Sequence, residues 1–342
     1  MRTSTPRPPF DPQIAAALAA HGDVVTSLAA ADIPALRRRV AAPDVAAITR
    51  GGTYRMTSHR VPGTGTAPEV ALTLVRPVVA DRPLPVLYHL HGGGMVTGAA
   101  HEELPWLVDV AAQIGAAVAA VEYRLAPEWR YPAALDDSYA GLVWLVEHAA
   151  ELGLDPGLVV ICGVSAGAGL AAATALAARD RGAPHLAGQL LVYPMLDDRN
   201  DSASGRQMAG AGAWDRQANA TGWSAYLGDR VGGPDVPDYA APARAEDLGG
   251  LPPTYLEVAS AETFRDEDLR YAARLWACGG DAELHVWPGG CHGFDFLAPE
   301  AELSRAARAA RVSWLIRTLA RATGDGVLTG LAASTLDGEP TR

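Results

Sequence analysis

The chain has no lysine: all 28 of its basic side chains are arginine, against 39 acidic ones, for a net charge of −11. No basic run interleaved with aromatics occurs, so no nucleic-acid partner is expected. A P-loop is excluded along with the lysine it needs, and no G-x-G-x-x-G replaces it. Arginine without lysine, beside abundant alanine, reads as the mark of a GC-rich genome. The acidity favours solubility and mildly disfavours anionic substrates. Cysteine is scarce, and Cys162, Cys278 and Cys291 neither all pair nor match a zinc spacing. No apolar stretch reaches membrane-spanning length without a charge or a breaker, and no secretory apolar segment opens the chain. No membrane span and a cytoplasmic location are therefore expected.

What is present is enough apolar material, 49% of 342 residues, to bury a large core as one domain or a domain with an insertion. From residue 52 onward short β-type runs alternate with longer helical stretches, which predicts a mainly parallel sheet flanked by helices. The predicted strands are Tyr54–Val61, Val70–Arg76, Pro85–Leu90, Ala116–Tyr123, Leu158–Gly163, Leu186–Tyr193, Thr254–Ala259 and Glu283–Trp287. The predicted helices are Glu102–Ile114, Pro132–Leu152, Ala166–Arg181, Asp266–Cys278 and Pro299–Ala322. The first two strands have no helix between them and should form an antiparallel edge. Residues 10–50 are helical in pattern, and residues 195–235 form an insertion carrying Met208, Trp214, Trp223 and Tyr226, the length and composition of a lid. Residues 1–9 and 324–342 read as loose ends.

Ser165 is central to Gly163-Val164-Ser165-Ala166-Gly167. The apolar run Leu158–Cys162 leads into it, and a helix of alanine, glycine and leucine follows. Strand, sharp turn and helix around G-x-S-x-G make a nucleophile elbow, which presents the serine hydroxyl at the tip of the sheet. A glycine-rich chain shows the bare pattern by accident about once in eight, so its context carries the weight. A serine nucleophile needs a base, an orienting acid and an oxyanion hole. His292, in Gly289-Gly290-Cys291-His292-Gly293 after the last predicted strand, is the best-placed of nine histidines, whereas His285 lies within that strand and reads as structural. Glu262, just beyond Thr254–Ala259, is the preferred acid; Asp266 is the alternative, although Asp266, Glu267 and Asp268 suit the start of the next helix. His91-Gly92-Gly93-Gly94 at the end of the third strand can offer backbone N–H groups unobstructed by Cβ atoms. That loop occurs by chance about once in a hundred and is the more specific signal. His89 and His91 lack a third ligand, so no metal is expected.

Together these segments resemble the hormone-sensitive-lipase-like esterases (bacterial family IV). The resemblance spans about residues 10–322 and rests on His91–Met95, Tyr123–Glu128, Gly163–Gly167, Tyr193–Arg199 and the Glu262 and His292 segments. It implies an α/β-hydrolase fold: an eight-stranded, mostly parallel sheet flanked by helices, with a helical cap. The core would comprise residues 51–194 and 236–323, and the cap residues 1–50 and 195–235. It further implies Ser165 as nucleophile, His292 as base and Glu262 as acid, with N–H groups of Gly93, Gly94 and Ala166 as oxyanion donors. His91 and Gly92 would support that loop. Candidate pocket residues are Val164, Met95, Met208 and Trp214. The chain departs from the family's usual G-D-S-A-G at Val164, which bears on pocket polarity, and from its usual aspartate at Glu262.

The reaction so implied is hydrolysis of short- to medium-chain acyl esters through an acyl-enzyme, without a cofactor. A small-molecule ester is the expected partner, and a homodimer is left open. An amidase or peptidase on the same triad, a non-catalytic receptor on the same scaffold and a thiol function for Cys291 are the competing readings.

Overall fold

Strands without a polar face form the middle of one eight-stranded sheet in the computed structural model, which describes residues 6–22 and 24–324. Of the ends read as loose, residues 1–5 and 325–342 lie outside the described residues. β1 (Tyr54–Val61), β2 (Val70–Pro77), β3 (Leu84–Leu90), β4 (Ala117–Glu122), β5 (Leu154–Val164), β6 (Gly188–Val192), β7 (Thr254–Ala259) and β8 (Ala282–Trp287) run in the order β1-β2-β4-β3-β5-β6-β7-β8. β1 is antiparallel to β2 and β2 to β4; every other pairing is parallel. β3, β6 and β7 are buried at every residue, as parallel strands covered on both faces must be. β1, at the edge, is buried only at its two ends.

Two elements differ from expectation for local reasons. β5 starts at Leu154, because Asp155-Pro156-Gly157, which reads as a turn, sits in an irregularity: β3 pairs Leu84 with Leu154 and next Val86 with Val159. Proline and glycine are tolerated in a strand at such a bulge. The helix expected over 132–152 is two, Ala133–Glu147 and Ala149–Leu152, broken at His148 (φ −100°, ψ 6°), whose Nδ1 donates to the Trp144 carbonyl at 2.8 Å.

The helix Ala166–Arg181 is buried from Ala166 to Ala178 and packs on β3, β5 and β6. Its small side chains let helix and sheet approach closely. At Gly169 a Cβ would stand 2.1 Å from the Met195 carbonyl.

The N-terminal segment and the insertion are sewn together over the carboxyl ends of the strands. Trp214 and Asp215 donate backbone N–H groups to Val25 and Thr26 at 2.8 and 2.7 Å. Thr26 Oγ1 bonds the Gly212 carbonyl, Ser27 Oγ the Asp215 carboxylate and Thr221 Oγ1 the Leu28 carbonyl, at 2.7, 2.6 and 2.6 Å. Loops after β3, β5, β7 and β8 open beneath this cover, where open α/β sheets place their ligands.

Candidate active site

The turn at Ser165 is strained and held. Ser165 has φ 58° and ψ −122°, a conformation that costs a non-glycine residue about 1–3 kcal/mol. Its N–H donates to the Val192 carbonyl at 2.9 Å, and its carbonyl accepts from Gly169 and Met195 N–H, each at 3.0 Å. The flanking glycines answer a packing demand. A Cβ at Gly163 would lie 2.3 Å from the Gly167 carbonyl, and one at Gly167 2.1 Å from that of Leu90. The elbow thus folds tightly on itself and against the strand that leads to the triglycine loop.

Three side chains from three loops form one hydrogen-bonded line. Ser165 Oγ stands 2.9 Å from His292 Nε2, and His292 Nδ1 stands 2.5 Å from Glu262 Oε1. The carboxylate can only accept, so Nδ1 carries the proton and Nε2 is free to receive one. Glu262 is buried, and its other oxygen accepts the Ala259 N–H at 2.9 Å. Tyr193 and Phe264 meet the imidazole edge-on, with ring centroids 4.9 and 5.1 Å away. Asp266 turns elsewhere: its carboxylate accepts Ser204 N–H and Arg265 Nε, both at 2.8 Å, fastening the insertion to the helix Arg265–Ala277. His285 stacks between Tyr255 and Trp287 and bonds Glu283 at 2.9 Å.

The triglycine loop curls over Ser165 with φ 114° at Gly93 and 61° at Gly94. A Cβ at Gly93 would meet the Thr97 carbonyl at 2.1 Å, and one at Gly94 the Trp214 ring at the same distance. Among the described residues no backbone carbonyl accepts the N–H of Gly93 or Gly94. Ala166 opens a helix, where an N–H has no intrahelical acceptor. His91 stacks on Tyr123 at 4.1 Å and donates through Nδ1 to the Gly92 carbonyl at 2.8 Å. Burial holds its pKa below the ordinary histidine value, so it stays neutral. Among the described residues no group of three or more His, Cys, Asp or Glu side chains could hold a metal.

Two cavities meet the hydrogen-bonded line, one at Ser165 and the other at His292. One, of about 340 Å³, is lined by Ser165, Val164, Gly93 and Leu36; the other, of about 400 Å³, by His292, Trp214, Val24 and Val25. Gly293 and Phe296 belong to both and stand between them. Val164 and Trp214 thus face the cavities, while Met95 and Met208 line neither. At φ 65° Met95 turns into the core, its carbonyl accepting Ala126 N–H at 2.9 Å. Met208 is buried against Gly212.

Sequence reasoning missed the network beneath His292. Arg311, fully buried, donates to Glu257 through Nε and Nη2 and to Asp295 through Nη1, the first and last at 2.8 and 2.7 Å. Tyr193 donates to Asp295 at 2.9 Å, and Tyr255 to Glu257 at 2.8 Å. Burial alone would raise the Asp295 carboxyl, but Arg311 outweighs it and holds it below its ordinary range. The available signal was Glu257, the one charged residue in the predicted strand Thr254–Ala259. Arg311→Met leaves buried Glu257 without its cation and Asp295 with only Arg308, 3.9 Å away, and should cost about 3–5 kcal/mol, read from the urea midpoint. An unchanged midpoint would show the network to be energetically idle.

A model of a family described as having the alpha/beta hydrolase fold matches residues 87–296. A carboxylesterase of Mycobacterium tuberculosis, NlhH, is 41% identical over 226 residues, 64% of this chain and 68% of its own length. The chain belongs to the hormone-sensitive-lipase-like esterases of the α/β-hydrolase fold. An ethyl acetate hydrolase of Pseudomonas putida is 34% identical over 230 residues, 65% of this chain and 70% of its own. The solved structure of a bacterial heroin esterase superposes with a TM-score of 0.82 at 39% identity, covering 91% of this chain and 98% of its own. No helix among the described residues is long and apolar enough to cross a membrane.

Proposed function

We propose that this esterase hydrolyses short- to medium-chain acyl esters of small molecules by a Ser165–His292–Glu262 triad. The observation that carries the reading is the hydrogen-bonded line of 2.9 and 2.5 Å, set between two cavities beside the N–H groups of Gly93 and Gly94, which no backbone carbonyl among the described residues accepts. Ser165 Oγ attacks the ester carbonyl as His292 Nε2 takes its proton. The carbonyl π pair moves to oxygen, and N–H groups of Gly93, Gly94 and Ala166 receive the oxyanion. Collapse breaks the bond to the alkoxy oxygen, to which Nε2 returns the proton. Water then enters by the same route, and the acid leaves Ser165. Glu262 holds the imidazole tautomer and stabilises its charged form.

The two cavities take the acyl and alcohol groups, with residues 10–50 and 195–235 as cap. Volumes of 340 and 400 Å³ suit small groups rather than long acyl chains. The activity for which the ethyl acetate hydrolase of Pseudomonas putida is named supports the short end of that range. The test is kcat/KM on p-nitrophenyl esters from C2 to C12, beside the matched p-nitroanilides. Rates should peak below C8 and exceed those on the anilides. Faster anilide cleavage would make the enzyme an amidase, and a peak at C12 would exclude the short-chain reading.

A further inference from the structure

Beneath the triglycine loop, hydrogen bonds from two directions converge on one carboxylate. Cys162, on β5 just before the elbow, places Sγ 3.6 Å from His89 Nδ1 on β3. Burial pushes the Cys162 thiol far up, so it keeps its proton and can donate to Nδ1. With Nδ1 as acceptor, the ring proton sits on Nε2, 2.7 Å from Glu103 Oε2. The other carboxylate oxygen accepts the Gly92 N–H at 3.0 Å. Glu103 lies at the head of the helix Leu104–Ile114 and lines the same cavity as Ser165.

The loop at Gly92 passes between this carboxylate and the elbow. A Cβ there would stand 3.0 Å from Glu103 Oε1, 3.1 Å from the Val164 carbonyl and 3.6 Å from Ser165 Cβ. The elbow supplies no carboxylate of its own, since Val164 precedes Ser165. Glu103 is therefore placed to fix the height of Gly92 over Ser165, and with it the direction of the next two N–H groups.

We propose that Glu103 is a positioning residue for the oxyanion hole, and that Cys162 and His89 fix the hydrogen-bond direction that holds it there. The inference rests on the reading of Gly93 and Gly94 as oxyanion donors. A misdirected donor weakens the transition state more than the bound ester, so kcat should fall with little change in KM.

The experiment compares the full-length enzyme with Glu103→Ala, Glu103→Gln, Cys162→Ala and the double variant Glu103→Gln/Cys162→Ala. It measures kcat and KM on p-nitrophenyl acetate, inhibition by phenylboronic acid, whose serine adduct is tetrahedral, and the melting temperature. Glu103→Ala should lower kcat about 10–100-fold, short of the roughly 10²–10³-fold for losing a donor outright, with a parallel loss of boronate affinity. Glu103→Gln keeps an acceptor for Gly92 but presents N–H to His89, which must switch tautomer and release Cys162. Cys162→Ala should therefore lower kcat about threefold in the native background and not at all beside Glu103→Gln. A folded Glu103→Ala enzyme with native kcat, or one altered only in KM, overturns the proposal. If that variant does not fold, equal effects of Cys162→Ala in both backgrounds overturn it. Native hydrolysis by Ser165→Ala in the same assay would mark failure of the underlying mechanism instead.

Discussion

Ser165→Ala should lower kcat on p-nitrophenyl acetate by a factor on the order of 10⁶ and leave the fold intact. Without Oγ no acyl-enzyme forms, and His292 is left with a water that no strained turn aims at the carbonyl. What survives is whatever the oxyanion hole and the cavities contribute alone, typically 10³–10⁴-fold over water. The fold should tolerate the change because the side chain holds nothing structural. Its hydrogen bond goes to His292, while the bonds that fasten the turn, to Val192, Gly169 and Met195, all come from the backbone. Urea unfolding should thus move by less than about 1 kcal/mol while turnover and the acylation burst vanish together. Full hydrolysis by this variant would remove Ser165 from the mechanism; lost hydrolysis with a collapsed melting transition would mean that the serine is structural.

Much of this site could be read from the chain because its parts are local. Gly163-Val164-Ser165-Ala166-Gly167 and His91-Gly92-Gly93-Gly94 are contiguous, and each has a backbone reason written into its glycines. Their positions follow once an apolar run such as Leu158–Cys162 is recognised as a buried strand. Glu257, Asp295 and Arg311 are different. They lie on β7, on the short helix Phe294–Leu297 just after His292 and on the helix Glu302–Thr323, and nothing local marks them as one network. Glu103 reads equally well as an ordinary residue at a helix start, and its bonds to His89 and Gly92 exist only after β3 and that helix have packed. Met95 misleads for the opposite reason. It follows the triglycine directly, yet its positive φ turns it from the cavity, and no sequence spacing encodes that rotation. The seam between residues 25–27 and 212–215 is the least legible part, because it is made by backbone groups and short side chains that leave no pattern.

Glu262→Gln should lower kcat by about 10³–10⁴-fold, whereas Asp266→Asn should change it by less than about threefold. The two carboxylates lie four residues apart in one acidic stretch, and the packing separates their tasks. Glu262 has one oxygen 2.5 Å from His292 Nδ1 and the other tied to Ala259 N–H, so the longer acid is pinned at both ends. An amide of the same shape keeps one acceptor but loses the charge that stabilises the imidazolium. It also offers an N–H that favours the wrong tautomer, with Nε2 protonated and unable to take the Ser165 proton. Asp266 touches none of this: its partners are Ser204 and Arg265. Its amide variant should appear instead as about 0.5–1 kcal/mol of lost stability, from the charge removed at a helix N-terminus. The comparison is decisive because both variants are isosteric and come from the same loop and helix start. A larger loss of kcat in Asp266→Asn than in Glu262→Gln would transfer the role of acid to Asp266 and require His292 to turn away from the line seen here.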